Sequence, residues 1–217
     1  MGKVKLHTAL KASYGDKEAR KKLNKKGYIL DKELSNDNEQ VWYKHKKNGG
    51  KKLIYTVAGT HNLSDVGTDV SLAVGQLKGT KRYKEADETL KKAKAKHGVK
   101  HASIAGHSLG GSIAGYIASA DDDVYTLDKG ATIGQPVKQT ENAYRYKGDL
   151  VSLLNANDSN MKTIHKENER HHDLLNNTMS KSHAGFLMGP FRGLLNTPKS
   201  ALVSHDVNKI KNHEIYI

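Results

Sequence analysis

Apolar and polar positions change their period several times along the chain, and this change predicts an α/β protein. Residues 40–45 and 52–58 are rich in Val, Ile, Tyr and Trp and flank an Asn-Gly-Gly turn at 48–50, which predicts a β-hairpin. Large apolar residues over 63–77 then recur mostly every three or four positions, which is the spacing of an amphipathic helix. A second helix is expected over 83–97, because a glycine follows directly.

The second half of the chain repeats the alternation of strand and helix around a glycine-rich turn. A short strand at 99–105 leads into this turn, and the apolar residues of 113–120 then follow helical spacing. Further strands are expected at 124–127, 131–133 and 143–146. Strands that alternate with helices form a largely parallel sheet covered on both faces, so the expected fold class is α/β.

Length and composition fit one folded domain. We expect a single domain over 1–217, in which 1–39 is a charged N-terminal arm with a helix-compatible stretch at 16–26. The absence of cysteine excludes disulfides and thiol chemistry and favours an intracellular protein. The sequence shows no signal-peptide core, myristoylation motif or membrane-spanning run, so we expect a soluble protein.

A strong positive charge points to an anionic partner without naming it. The formal net charge is +13, from 36 basic and 23 acidic residues, with dense basic runs at 20–26, 44–52 and 91–100. Such a field attracts nucleic acid, anionic membranes and acidic polymers alike, and a solvated lysine-rich surface explains the same runs without a partner. Because lysine greatly outnumbers arginine, sequence-specific nucleic-acid recognition is not expected.

A Gly-x-Ser-x-Gly sequence, formed by Gly106, Ser108 and Gly110, lies between a predicted strand and a predicted helix. In a nucleophile elbow this sequence makes a sharp turn that lifts the serine hydroxyl out of the sheet edge, and glycines flank the serine because the backbone is crowded. The following helix also places free N–H groups and a positive dipole end beneath the serine. Ser108 is therefore the candidate nucleophile. A glycine-rich turn that only enters a helix or cradles a phosphate is the alternative.

A serine nucleophile needs a base and an orienting carboxylate, which follow an elbow of this kind in the order Asp or Glu, then His. Asp149 is the leading carboxylate, because it follows a strand-like segment and a Lys-Gly turn, whereas Asp128, Asp158 and Asp173 are weaker alternatives. Six histidines lie downstream, and His205 is singled out because it follows an apolar run near the end of the sequence. Spacing alone does not separate it from the other five, which are His165, His171, His172, His183 and His213.

Several of these stretches resemble the class 3 lipases of the fungal triglyceride-lipase type, which have the α/β-hydrolase fold. Residues 106–111 are similar to that family's elbow, and Gly59-Thr60 looks like its oxyanion-loop signature. Residues 132–136 are similar to the strand and turn after the elbow helix, and 144–154 to the segment with the triad aspartate. The resemblance covers roughly residues 40–210. It departs from the family at Val57-Ala58, where an aromatic residue and an arginine are usual.

The resemblance implies a Ser-Asp-His triad and no cofactor or metal ion. It assigns Ser108 as nucleophile, Asp149 as orienting carboxylate and His205 as base, and it places the oxyanion on the backbone N–H groups of Thr60 and Leu109. The implied activity is hydrolysis of carboxylic esters of lipids, as in a lipase or phospholipase A. The lysine-rich, cysteine-free composition also resembles virus-encoded members, which implies a cytoplasmic or virion-associated protein.

The surroundings of the elbow leave the substrate and the partner open. Residues 61–80 are a candidate lid, although an ordinary core-facing helix explains the same apolar stripe. A lid together with the basic surface would favour peripheral contact with an anionic membrane and hydrolysis of phospholipids. An acyltransferase or a peptidase would use the same triad. The alternative from another class is a non-catalytic basic module that binds membrane or nucleic acid and retains a relic elbow.

Overall fold

The computed structural model of the protein describes residues 3–60, 77–130, 139–146, 160–164 and 214–217. Within these residues the centre is a seven-stranded sheet whose strands lie side by side in sequence order. The strands are β1 (Ile29–Leu30), β2 (Glu39–His45), β3 (Lys51–Val57), β4 (Ser103–His107), β5 (Asp123–Leu127), β6 (Glu141–Tyr146) and β7 (Met161–Ile164). β1 to β3 are antiparallel neighbours, and β3 to β7 are all parallel.

Helices cover both faces of this sheet. α1 (Leu6–Ser13) and α2 (Lys17–Lys25) lie on one face. A short 3-10 turn (Leu77–Gly79), α3 (Lys81–His97) and α4 (Leu109–Ile117) lie on the other. Crossovers between parallel strands are right-handed, so strands that are added in sequence order bring their helices to the same face. This rule accounts for the shared face of α3 and α4.

Alternate strand residues form the larger core beneath α3 and α4. Leu53, Tyr55 and Val57 of β3 all point to this side and pack against Leu90 of α3 and Ile113 of α4. Each fully buried side chain of this size contributes about 1.5–3 kcal/mol relative to an exposed one. Burial raises the pKa of Tyr55 well above its ordinary value.

The intervening strand residues face α1 and α2. Trp42 of β2 and Ile54 of β3 pack against both helices. Leu10 of α1 reaches further along the sheet to Ala105 of β4 and Leu127 of β5. The N-terminal arm therefore contributes a helix to the core, and this helix ends close to the carboxyl end of β4.

The α/β fold expected from the sequence is confirmed. The hairpin, the mostly parallel sheet and the helices on both faces are all present, and α3 ends at Gly98 as expected. The strand expected at 99–105 begins four residues later, at Ser103. The Asp122 carboxylate binds the N–H of Ala102, so the ladder between β4 and β5 begins only at Ser103. β1, β7 and α1 were not expected. Residues 63–76 and 131–133 lie outside the described residues.

The parallel strands give the sheet two opposite edges, one at their carboxyl ends and one at their amino ends. The carboxyl ends of β3 and β4 meet at one edge, and Ser108 follows β4 directly, so this is the elbow edge. The β2–β3 turn over residues 46–50 lies at the opposite edge, which is the hairpin edge. No helix in the described part of the chain combines the length and the apolar character needed to cross a bilayer.

Candidate active site

Ser108 lies in a sharp turn between β4 and the first turn of α4. Its φ of 56° and ψ of −130° are outside the regions that non-glycine residues usually adopt. Such a conformation costs about 1–3 kcal/mol and persists only where the surrounding structure maintains it. Here the Ser108 N–H donates to the Leu127 carbonyl (3.2 Å), and the Ser108 carbonyl accepts from Gly111 (2.9 Å) and Gly130 (3.1 Å). This geometry is that of a nucleophile elbow.

Close backbone contacts require the two glycines of the motif. A Cβ on Gly106 would lie 2.3 Å from the carbonyl oxygen of Gly110, and a Cβ on Gly110 would lie 2.3 Å from the carbonyl oxygen of Val57. Both distances are far shorter than a nonbonded contact allows, so neither position accepts a side chain. β3, β4 and α4 can approach one another this closely only because these residues are glycines.

The Ala58–Gly59 segment that follows β3 is held from both faces of the sheet. On the α1 face, the N–H of Gly59 donates to the hydroxyl of Tyr14 (2.7 Å), and the same hydroxyl oxygen lies 2.8 Å from Nδ1 of His107. On the α3 face, the guanidinium of Arg82 donates to the carbonyl of Ala58 (2.7 Å). We call Tyr14 and Arg82 the loop clamp. The clamp fixes the backbone immediately before Thr60.

The clamped segment lies against Ser108. A Cβ on Gly59 would be 2.8 Å from the Cβ of Ser108, so the two backbones are in direct contact. Because the Gly59 N–H is bound by Tyr14, it is not available to an oxyanion. The N–H of Leu109 is in the first turn of α4, where no intrahelical acceptor exists, and none is found among the described residues. Leu109 is therefore a donor candidate at this edge, and the half-buried Thr60 directly follows the clamped segment.

A buried ion pair stabilises the segment that binds the Ser108 carbonyl. Nζ of Lys129 lies 3.0 and 3.1 Å from the two carboxylate oxygens of Glu141, and both side chains are 1% exposed. The hydroxyl of Thr126 also donates to Glu141 (2.8 Å). Lys129 precedes Gly130, whose N–H binds Ser108 and whose carbonyl accepts from Ser112 (2.7 Å). The ion pair thus anchors the segment that holds the Ser108 carbonyl.

Asp128, an alternative triad carboxylate in the sequence, also has a buried position beside the elbow. Its backbone has a φ of 47°, and its N–H donates to the carbonyl of Tyr144 (2.9 Å). Its Oδ1 accepts the N–H of Tyr146 (2.7 Å). These bonds join the ends of β5 and β6, which accounts for the burial of Asp128 without a catalytic role.

The structure brings together three of the five predicted site residues. Ser108, Thr60 and Leu109 all lie at the elbow edge, whereas Asp149, His205 and the other five candidate histidines lie outside the described residues. Within the described part of the chain, no group is close enough to hydrogen-bond Oγ of Ser108. The base and the orienting carboxylate therefore stay predictions. The described residues also contain no cluster of three or more His, Asp or Glu side chains that could hold a metal ion.

Sequence reasoning missed both residues of the loop clamp. Tyr14 and Arg82 belong to no motif, and each is more than twenty residues from the segment it binds. One signal was present for Tyr14, because Leu6, Leu10 and Ser13 share one face of a helix that ends next to it.

Comparison with known proteins gives a distant likeness. No family model matches the chain, and no curated protein matches it either. Among solved structures, the crystal structure of Lip2 lipase from Yarrowia lipolytica is similar, with a TM-score of 0.38 and 17% sequence identity. The match covers 60% of this chain and 61% of that one. At this level of likeness nothing follows for the activity of the chain, and the virus origin and cellular location expected from the sequence stay predictions.

Proposed function

We propose that the protein is a serine hydrolase that cleaves carboxylic esters, with Ser108 as its nucleophile. The observation that supports this most strongly is the backbone of Ser108, a non-glycine residue held at a φ of 56° between β4 and α4. A strained turn of this kind presents the serine hydroxyl at the end of the sheet. A turn that merely entered a helix would not need this strain.

The proposed reaction follows the Ser-His-Asp scheme. Ser108 attacks the ester carbonyl carbon while His205 accepts its proton, and His205 then protonates the departing alcohol. Asp149 orients the imidazole. Water next attacks the acyl-enzyme, again with His205 as base, and the carboxylic acid product leaves. The N–H groups of Leu109 and Thr60 hold the oxyanion, and one such donor stabilises the transition state by about 3 kcal/mol.

The clamped loop supports this assignment of the oxyanion donors. Electrostatic stabilisation is effective when the donors are fixed before the charge develops. Tyr14 and Arg82 provide this fixation for the segment before Thr60. The N–H of Leu109 lies at the positive end of the α4 dipole, which favours negative charge at the same place.

Lipid esters are the proposed substrate class, and this refinement rests on the sequence resemblance. Ser108 is only 2% exposed, so a substrate reaches it only after covering groups move. A lid over 61–80 would provide such a movement. Leu77, at the end of the apolar stripe, is buried in the core beneath α3, so this end of the segment faces inward. An anionic membrane surface stays a proposed partner.

A fluorophosphonate probe tests the proposal, because it labels only an activated serine. We expect the native protein to be labelled at Ser108 and to hydrolyse short acyl esters. Ser108→Ala should lose both properties while its melting temperature stays the same. The matched control is Ser103→Ala in β4, which should keep both.

Two results would contradict the proposal. A native protein that is neither labelled nor active would favour the non-catalytic basic module. A loss of only a few-fold in Ser108→Ala would place the chemistry elsewhere. Adding a competing alcohol separates the acyltransferase alternative, since only a transferase would form the new ester in preference to the free acid.

A further inference from the structure

The three basic runs of the sequence meet at the hairpin edge, opposite to Ser108. The β2–β3 turn forms this edge, and α2 and α3 both end beside it. His97, the last residue of α3, has its Nδ1 3.5 Å from Nζ of Lys51 at the start of β3. Lys44 of β2 donates to the carbonyl of Lys26, which follows α2 directly. Stretches that are far apart in the sequence therefore form one basic surface.

On the α3 side of this surface, carboxylates compensate the lysines. Lys94 pairs with Asp122 (2.7 Å), and Lys96 pairs with Asp31 (2.9 Å). Burial by itself would raise the pKa of each of these aspartates, but hydrogen bonds, above all those from the two lysines, hold both pKa values below the ordinary range. This side is therefore an internal ion-pair network that needs no outside partner.

On the α2 side, four lysines have no such compensation. Within the described residues, no side-chain carboxylate pairs with Lys3, Lys44, Lys46 or Lys52. Lys44 and Lys52 are direct partners in the β2–β3 ladder, and they lie two residues from Trp42 and Ile54, on the same face of the sheet. Like charges at directly opposed positions destabilise a sheet. A bound anion would remove this unfavourable interaction.

The same four lysines line a pocket of about 60 Å³ together with Tyr28 and Ile217. Tyr28 is 7% exposed, and Nζ of Lys44 lies 5.6 Å from the centre of its ring. The pocket has room for a few water molecules or for one phosphate group. Four ammonium groups therefore give this pocket an excess of positive charge.

We propose that this lysine pocket binds a phosphate monoester group. A phosphate dianion has several terminal oxygens that accept hydrogen bonds from different directions, and lysine binds it as a mobile point charge. The apolar side chain of Ile217 and the ring of Tyr28 provide contacts for the carbon atoms next to the ester oxygen. A phosphorylated small molecule and a phosphorylated lipid headgroup both carry this group. The site is independent of the proposed hydrolysis, because it lies at the edge opposite to Ser108.

Calorimetric titration with inorganic phosphate at fixed ionic strength tests the lysine pocket. We expect saturable binding that Lys46→Gln/Lys52→Gln weakens about tenfold, since charge-assisted contacts are lost. Both side chains are exposed and hydrogen-bond no other described residue, so the fold should persist, and thermal unfolding checks this. The control Lys17→Gln/Lys84→Gln removes two exposed lysines outside the pocket. It should change the Kd by less than about twofold, because distant surface charges are screened.

Vesicle binding separates the two sources of the phosphate group. Two kinds of phosphatidylcholine vesicle with equal total charge are compared. One contains phosphatidylinositol 4-phosphate, and the other contains phosphatidylserine as its anionic lipid. Preference for the phosphoinositide, lost in Lys46→Gln/Lys52→Gln, assigns the lipid headgroup. Binding of free phosphate without this preference assigns a soluble ligand. Absence of saturable phosphate binding by the native protein, or equal weakening in both double variants, would overturn the proposal.

Discussion

A single hydroxyl, that of Tyr14, joins three segments that are far apart in the sequence. It accepts the N–H of Gly59 and lies within hydrogen-bonding distance of Nδ1 of His107, so the end of α1, the loop after β3 and the end of β4 meet at one atom. Tyr14 does not need to touch the substrate to affect the proposed reaction. It is a positioning residue, because it fixes the backbone from which Thr60 would donate.

Tyr14→Phe removes this hydroxyl and keeps the ring. The N–H of Gly59 then loses its acceptor, which costs about 1–3 kcal/mol of stability if the group stays buried. The donor at Thr60 also becomes free to shift. We expect kcat for a short soluble ester to fall about tenfold to hundredfold, with little change in KM. The upper value is what the loss of one oxyanion donor would cause. Steady-state kinetics measure both values.

The control for this variant is Tyr43→Phe, which makes the same chemical change near the hairpin edge, where Tyr43 stacks on His97. It should leave kcat unchanged. If Tyr14→Phe lowered the melting temperature but not kcat, Tyr14 would have a structural role only. Labelling of Ser108 by fluorophosphonate separates this result from a failure of the hydrolase proposal as a whole.

The general base is the residue for which the sequence alone leaves most alternatives. If His205 is the base, His205→Ala should lower kcat about a thousandfold or more, because the serine then has no proton acceptor. His183→Ala should have little effect on kcat. The reverse pattern would assign the base to His183 and would mean that the family resemblance is misaligned after residue 155.

At the scale of elements, the Lys129–Glu141 pair joins the end of β5 to β6 directly behind the elbow. Lys129→Met would leave the Glu141 carboxylate buried without its partner, and this change costs about 3–5 kcal/mol in comparable ion pairs. We expect a matching loss in the free energy of unfolding, measured with urea. Reactivity of Ser108 should fall as well, because Lys129 precedes the Gly130 N–H that binds the Ser108 carbonyl.

The double variant Lys129→Met/Glu141→Leu is the matched control. It removes the uncompensated charge, so it should recover a large part of the lost stability. Equal destabilisation of the single and double variants would show that packing around residue 129 matters more than the ion pair.

Elements with a strong local pattern could be predicted from the sequence, and elements defined by distant partners could not. The β2–β3 hairpin follows from strand composition around a glycine turn, and α3 follows from its spacing and its terminal glycine. β1 has two residues and β7 has four, so pairing with a neighbouring strand defines each of them. The same reason explains the site: Ser108 is part of a local motif, whereas the loop clamp is made by tertiary contacts.

At the scale of the whole molecule, the structure separates the proposed chemistry from the uncompensated positive charge. Ser108 is at the elbow edge, and the lysine pocket is at the hairpin edge. The sequence showed where the basic runs begin and end but not that they meet, because this depends on how α2, α3 and the hairpin are arranged around the sheet. An anionic surface that contacts the lysine pocket would therefore face away from Ser108.

This separation predicts how vesicles affect the protein. Adding anionic lipid should increase the amount of vesicle-bound protein, since each lysine near such a surface gains about 1 kcal/mol. Hydrolysis per bound molecule should not increase, because the bound orientation does not bring Ser108 to the lipid. Raising the ionic strength should weaken binding, since the charges are screened. Cosedimentation and product release, measured on the same vesicles, give both quantities.

Hydrolysis of a soluble monomeric ester is the control and should respond to neither lipid charge nor salt. A rise in hydrolysis per bound molecule with anionic lipid would contradict the separation. It would mean that lysines closer to Ser108, such as Lys81 next to the clamp residue Arg82, direct the orientation instead.

The order of the strands has a consequence for how the chain acquires its structure during synthesis. Each strand of the sheet lies beside the strand that precedes it in sequence. Most contacts within the sheet therefore close short loops, and the sheet can grow one strand at a time as the chain leaves the ribosome. The turn at Ser108 cannot be completed when β4 has just been made, because the Ser108 N–H and carbonyl are bound by Leu127 and Gly130. The strained turn should therefore form only after β5 has emerged, so that folding of the hairpin precedes assembly of the elbow.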